Sequence, residues 1–394
     1  MKVLIFMFLL YAVFEVECEG RNILVFGGNG FLGAKTVDKF LARHDNVTIV
    51  IRGNWYWDSK TKIKPFVKVI LCDRKKYLSE NCPEFVDFLK NKDFDKFDAV
   101  VDFSAYSDHE IKEALKLLKH QAKLYVYIST DSIYDVCDTP DSEPIKEESA
   151  IRPFDKDRRE RLSEHHQYAN KKFLAEEELM SKRKDHGIPY VILRLPDVVG
   201  PKDTTFRIWI YHLWIKLAQL LPEKPVTIPR FLKNVQNSFV YVEDVANVLE
   251  QLTSAKRSEE VLDQVYNLAW HENITTEFFL RTIEKHLGIK KQKFINDDDS
   301  ATMYLYPTVR AGTLDSSKAV KYLSWNPTPF DDAIKATVDF YEDVMKGTTY
   351  EVQRDEIIQI QSAHLYSDDK EKFYQAVEKT YNINLNHFRP HDEL

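Results

Sequence analysis

Three glycines at fixed spacing constrain this chain more than any other feature. Residues 25–33 read Val-Phe-Gly-Gly-Asn-Gly-Phe-Leu-Gly and follow directly on an apolar run, Asn22–Phe26. Gly27, Gly30 and Gly33 therefore fall at the turn from a first strand into a helix. Each glycine answers a separate need. One turns the chain tightly, one lets backbone N–H groups approach a pyrophosphate, and one lets helix and strand pack closely. The N–H groups left free at the helix start face the anion, with Asn29, Phe31 and Leu32 beside it. The spacing is Gly-x-x-Gly-x-x-Gly, not the Gly-x-Gly-x-x-Gly of ordinary dinucleotide folds. A dinucleotide site is the expectation.

The surrounding pattern fits that expectation. Strand-like segments at 22–26, 47–51, 67–71, 99–103, 124–128 and 190–195 alternate with helical patterns at Gly33–Arg43, Phe85–Leu89 and His109–Leu118. The strands are rich in Val, Ile, Leu and Phe with little alternation, as in a parallel sheet covered on both faces. The predicted fold is α/β: a Rossmann-type doubly wound parallel sheet with a smaller C-terminal α/β substrate lobe. Ligands then sit outside the C-terminal ends of the strands. The expected organisation is a leader at 1–20, a dinucleotide-binding domain at 21–200, a substrate lobe interleaved with it at 201–350, and a charged helical tail at 351–394. An aromatic-rich helix at Phe206–Leu221 either packs between the lobes or walls the substrate pocket. Ser238–Val242 reads as a strand and Glu243–Leu252 as a helix.

The two ends read as addresses. Met1-Lys2 precedes Val3–Phe14, an apolar run too short to span a bilayer comfortably. It fits a secretory signal cleaved just before Arg21, which leaves no membrane span; an uncleaved hydrophobic anchor or an extra core strand is the alternative, and the other end of the chain argues against the strand. His391-Asp392-Glu393-Leu394 reads as an ER-retrieval signal, with the retrieval receptor as partner and the ER lumen as location. The formal charge of −7 offers no basic footprint for nucleic acid. Once Cys18 leaves with the signal, Cys72, Cys82 and Cys137 remain in an oxidising compartment. Cys72 and Cys82 are the closest pair in sequence, and both a disulfide and buried thiols stay open. No metal-ligand spacing occurs, so no metal site is expected. Asn46-Val-Thr48 and Asn273-Ile-Thr275 match the glycosylation pattern.

The chemistry concentrates in two places. Tyr168-Ala-Asn-Lys-Lys172 opens a predicted helix, His166–Met180, and the i, i+4 spacing sets the Tyr168 hydroxyl and Lys172 ammonium on one face. A nearby cation favours the phenolate, which predicts a lowered tyrosine pKa and an acid/base usable near neutral pH. Upstream, a strand ends in Ser129-Thr130-Asp131-Ser132-Ile133-Tyr134, where a hydroxyl can hydrogen-bond a reacting carbonyl or alcohol. Taken alone, such hydroxyls are also ordinary turn and cap residues.

With these motifs in order, the chain resembles an extended short-chain dehydrogenase/reductase of the NAD-dependent epimerase/dehydratase family. The resemblance spans roughly residues 22–345. It also takes in Arg194-Leu-Pro-Asp-Val-Val-Gly-Pro201, Phe239-Val-Tyr-Val-Glu-Asp-Val-Ala246, Leu314-Asp-Ser-Ser-Lys-Ala and Leu323-Ser-Trp-Asn-Pro327. It implies that Thr130 polarises the substrate oxygen, Tyr168 is the general acid/base, and Lys172 tunes Tyr168 and binds ribose. Asp73 and Arg74 would touch adenine. Phe103, Ser104 and Ala105 would line the cofactor, and Pro196 and Val198 would flank the nicotinamide. Asp131 stands where dehydratases keep an acid, but Ser132 stands where they have Glu.

Two positions depart from the nucleotide-sugar enzymes of that family: Asp197 replaces their Asn, and Asn237 replaces their pyrophosphate-gripping Arg. An acid at Asp197 would repel a diphosphate, although Arg230 or Lys233 could compensate. At the end of the second strand, Arg52 suits the 2′-phosphate of NADP rather than the ribose of NAD. NAD stays open, since Asp58 could fold back. Trp55, Tyr56 and Trp57 either cover adenine or pack the loop down. The expected activity is NAD(P)-dependent oxidoreduction or epimerisation of a small-molecule substrate by hydride transfer. A nucleotide-sugar epimerase/dehydratase and a non-catalytic dinucleotide-binding sensor or scaffold are the alternatives. A homodimer is left open.

Overall fold

The computed structural model describes residues 20–138, 144–185, 187–272, 274–296, 305–309 and 312–389. The Val3–Phe14 run, Cys18, Asn273 and His391–Leu394 lie outside the described residues.

Seven parallel strands form the central sheet. They are β1 (Asn22–Phe26), β2 (Asn46–Ile51), β3 (Lys68–Leu71), β4 (Ala99–Asp102), β5 (Tyr125–Thr130), β6 (Tyr190–Leu195) and the short strand Gln264–Asn267. In space the order is Gln264–Asn267, β6, β5, β4, β1, β2, β3. Successive residues feed opposite helical layers. Ile23 and Val25 pack on one side with Val37, Phe40, Val245 and Leu249. Leu24 and Phe26 pack on the other with Phe85, Ile111, Leu115 and Leu179. Both faces are apolar, so the strands show continuous hydrophobicity rather than alternation.

Gly33 sets the first helix on the sheet. A Cβ there would lie 2.1 Å from the Gly27 carbonyl oxygen, so only glycine permits this approach. Helix Phe31–Ala42 then buries Gly33, Thr36, Val37 and Phe40, one face at helical spacing. Helix Val242–Leu252 and strand Gln264–Asn267 return from the 201–350 segment to complete this layer and the sheet edge.

The second lobe has its own core. Helix Arg207–Leu217 is buried on nearly every side, Trp209, Tyr211 and Trp214 included, so its aromatic residues are packing rather than a pocket wall. The 351–394 segment is more than a charged tail. Helices Glu351–His364 and Lys370–Tyr381 bury Ile357, Ile358, Phe373 and Val377 in that core. A helix that the sequence pattern does not reveal, Lys156–His165, precedes the Gln167–Lys184 helix and buries none of its residues.

Cys72 and Cys82 form a disulfide with Cα atoms 5.5 Å apart. Cys137 is a buried thiol, pushed up to about 12 by burial.

A buried ion pair joins the strand ends to the helix layer. The Arg194 guanidinium on β6 meets the Glu176 carboxylate at 2.7 Å, with both side chains at most 3% exposed. Arg194 also donates to the Tyr134 hydroxyl (3.0 Å) and the Glu147 carbonyl (2.9 Å), and the Ser129 hydroxyl donates to Glu176. Arg194→Met would leave Glu176 charged and buried without its partner. The expected cost is ~3–5 kcal/mol of unfolding free energy, read by urea denaturation, and a loss below about 1 kcal/mol would show that the pair is not structural.

Candidate active site

The C-terminal ends of the strands open into a cleft of about 530 Å³. Gly27, at φ +86°, turns the chain out of β1 at its floor. Gly30 precedes helix Phe31–Ala42, and a Cβ added there would meet nothing within 4 Å. That open space is a cradle in which an anion can approach the helix N-terminus. Phe31, Leu32 and Gly33 also line the cleft, as does Asn29, whose amide donates to the Asn54 carbonyl.

The far end is built by β2 and β3. Arg52 is exposed, lines the cleft and forms no ion pair with any described residue. Asp58 does not fold back toward a ribose. It accepts from Lys202 (2.6 Å), Lys62 (2.8 Å) and Tyr350 (2.8 Å). Burial pushes this carboxyl up, but those hydrogen bonds outweigh it and bring it down to about 2. Of the three aromatic residues in this loop, only Tyr56 reaches the cleft; Trp57 and Trp55 pack against the two cores.

Asp73 and Arg74 line the cleft beside Cys72. Arg74, expected at adenine, lines the cleft with its guanidinium already engaged. Its guanidinium pairs with Asp102 at 2.6 Å, donates to the Glu110 carbonyl at 3.0 Å and stacks on Phe26 at 4.1 Å. Phe103 and Ser104 line the cleft, but Ala105 is fully buried and contributes a carbonyl beneath it. Lys75, exposed beside Asp73, is a lining cation that the sequence reading missed, although it directly follows the Asp73-Arg74 pair.

Thr130, Tyr168 and Lys172 meet at the other end with Pro196 and Val198. Thr130 caps the turn after β5, its Oγ1 3.0 Å from Ser132 Oγ. Tyr168 is half exposed. Burial pushes its phenol up to about 12, the nearby Tyr106 adds to this, and a hydrogen bond with Thr130 opposes it. This is the reverse of the lowering expected from an adjacent lysine. The reason is geometric: the Lys172 ammonium donates to the carbonyls of Ala105 (3.0 Å) and Ile128 (2.7 Å). Burial pulls Lys172 down to about 8, against the opposing pull of Asp102 and Glu176. Tyr106, Asn54, Glu110 and Thr204 also line the cleft. Thr204 comes from a loop folded over from the second lobe, and nothing in the sequence placed it here.

Asp131 is buried and held well above the usual carboxylate range, by burial first and then by Asp197 and Asp135. Asp197 is not a free charge. Arg207 reaches it at 2.6 Å, and Thr308 donates through its backbone N–H (2.9 Å) and hydroxyl (2.7 Å). Asn237 is 3% exposed, its amide 3.4 Å from Thr276 Oγ1, and it does not line the cleft; nor do Arg230 and Lys233. Among the described residues, no group of three His, Cys, Asp or Glu side chains is placed to hold a metal.

Gly30→Ala separates binding from folding at this site. The added methyl meets no protein atom, so the unfolding free energy should change by less than about 1 kcal/mol. Dinucleotide affinity, measured by titration calorimetry, should fall about tenfold or more because the methyl fills the anion cradle. Unchanged affinity would place the anion elsewhere.

Comparison with known proteins agrees with this geometry. The model of the NAD dependent epimerase/dehydratase family matches residues 23–269, more than half of the chain. A UDP-glucose 4-epimerase of Streptococcus mutans serotype c is 27% identical over 202 residues, covering 46% of this chain and 53% of its own. A dTDP-D-glucose 4,6-dehydratase of Dictyostelium discoideum is 24% identical over 275 residues, covering 63% and 58%. The chain thus spans little more than half the length of these relatives. Among solved structures, the dTDP-glucose 4,6-dehydratase of Bacillus anthracis strain Ames in complex with NAD shares the fold at a TM-score of 0.62. It is 18% identical, with 86% of this chain and 100% of that one covered. The UDP-glucuronic acid 4-epimerase of Bacillus cereus, in complex with UDP-glucuronic acid and NAD, has a TM-score of 0.60 at 20% identity, with 82% and 99% covered. The chain belongs to the NAD-dependent epimerase/dehydratase family.

Proposed function

We propose that this protein is an NADP-preferring oxidoreductase or epimerase of the extended short-chain type, working in the ER lumen. One observation carries the reading: Thr130, Tyr168 and Lys172 line the same cleft as the glycine turn. A bound nicotinamide dinucleotide would supply a hydride donor or acceptor there. Gly30 and the N-terminus of helix Phe31–Ala42 would hold its pyrophosphate, and Lys172 its ribose hydroxyls. Arg52 and Lys75 are two cations at the β2 and β3 ends suited to a 2′-phosphate.

The residues divide the proton work. Thr130 orients the substrate oxygen. Tyr168 donates its phenolic proton to a carbonyl oxygen as the carbon gains hydride, or accepts that proton in reverse. A phenol near 12 is protonated at neutral pH, which suits the reducing direction. The pairing of Asp197 with Arg207 and Thr308 removes the repulsion expected there, but the substrate end still does not favour a nucleoside diphosphate, because Asn237 is buried and neither Arg230 nor Lys233 lines the cleft. A carbonyl or hydroxyl compound without a diphosphate is the favoured substrate class.

The lumenal part of the reading is supported by the signal-like start, the His391–Leu394 ending and the Cys72–Cys82 disulfide, which belongs in an oxidising compartment. Mature protein should begin near Arg21, and deletion of His391–Leu394 should release it to the medium. Recovery from the cytosol with Met1 retained would contradict this.

A metabolite screen with NADPH, followed by loss of nicotinamide absorbance, identifies the substrate. On it, Tyr168→Phe should lower turnover by ~10²–10⁴ with little change in dinucleotide affinity. Turnover in the reducing direction should be flat below about pH 8 and fall above it, as Lys172 loses its proton. Lys172→Met should lack that limb. Wild-type turnover by Tyr168→Phe would leave a dinucleotide-binding scaffold as the better reading.

A further inference from the structure

The loop after β2 is anchored from outside the dinucleotide-binding domain. It carries Arg52, Asn54 and Tyr56 into the cleft, then turns away at Trp57 and Asp58. Trp57 has φ +52° and Lys202 φ +66°, left-handed conformations that bulky side chains keep only where their surroundings fix them. The Trp57 ring lies 5.3 Å from Tyr350, 5.6 Å from Phe340 and 5.8 Å from Trp209, all second-lobe residues. The Asp58 carboxylate collects Lys202 from the loop before helix Arg207–Leu217, Lys62 from its own following turn, and the Tyr350 hydroxyl from the start of helix Glu351–His364. Two distant chain segments and the local turn thus converge on one carboxylate, six residues after the exposed Arg52. Beside Asp58, the Ser59 hydroxyl donates to the Tyr56 carbonyl at 2.6 Å and accepts from the Tyr56 N–H at 3.1 Å, which ties the anchor to the cleft-lining end of the loop.

We propose that Asp58, supported by Trp57, is a positioning residue for dinucleotide selectivity: it fastens the Arg52–Tyr56 loop to the second lobe through Lys202 and Tyr350. The inference rests on the reading of Arg52 as a ligand of the 2′-phosphate. It gives Tyr350, at the N-cap of helix Glu351–His364, a function at the cofactor end of a cleft that it does not line. An anchored loop presents the Arg52 guanidinium at one place, and a released loop lets it spread over many. NADPH affinity suffers from that release more than NADH affinity, because only NADPH carries the phosphate.

The test uses the full chain and reads NADPH and NADH dissociation constants by nicotinamide fluorescence. Asp58→Asn removes the charge at nearly constant shape. It should weaken NADPH about tenfold and NADH less than about threefold, with Tyr350→Phe shifting the ratio in the same direction by less. A merely structural role would lower the melting temperature and leave the NADPH-to-NADH ratio unchanged, and that result overturns the inference. Should Asp58→Asn not fold, Tyr350→Phe and Lys202→Met, each leaving the carboxylate two partners, carry the same test. A wild-type chain that discriminates, with variants that discriminate equally well, defeats this inference alone. A wild-type chain that binds both dinucleotides alike defeats the Arg52 reading and this inference with it.

Discussion

A charge removed from water must be met by carboxylates and carbonyls, or it is expelled. Three cations are buried under the cleft, and each is met in this way by groups at or beside the strand ends. Arg74 is held by Asp102 and the Glu110 carbonyl, Lys172 by the carbonyls of Ala105 and Ile128, and Arg194 by Glu176 and the Tyr134 hydroxyl. Together they tie the ends of β3, β4, β5 and β6 to the helices that cover them. The cleft floor is therefore a fixed polar layer on an apolar sheet, and its lining residues inherit their positions from it.

This layer changes how Lys172 acts. Its ammonium is oriented by two backbone carbonyls, not by Tyr168, and burial leaves it near 8. The phenol, near 12, is protonated at neutral pH and hydrogen-bonds with Thr130. In the proposed mechanism, proton transfer and ribose binding then fall to different groups, with Lys172 reporting its state as a pH limb in the reducing direction.

Much of this was legible in the sequence because backbone constraints leave strong marks. Gly33 is required by a 2.1 Å approach, and β1, β5 and β6 are buried on both faces and read as apolar runs. Strand Gln264–Asn267 left no such mark, since four residues with two polar ends show no period. Side chains at the strand ends were harder to read, because burial and partner choice depend on contacts distant in sequence. Arg74 and Asp197 look like free charges until Asp102, Arg207 and Thr308 are brought to them. Asp58 looks like a ribose ligand until Lys202 and Tyr350 take its carboxylate. The C-terminal helices carry no chemical motif, and only the structure shows them packed into the second-lobe core, with Tyr350 at the start of one of them reaching Asp58.

The central claim is that one dinucleotide lies across this cleft with its reactive end at Tyr168. A crystal structure of the full chain with NADPH tests it most directly. The account predicts pyrophosphate at Gly30, 2′-phosphate at Arg52, ribose hydroxyls on Lys172, and the nicotinamide facing Thr130 and Tyr168. Dinucleotide bound outside the cleft, or bound within it with the nicotinamide turned away from Tyr168, would contradict the account.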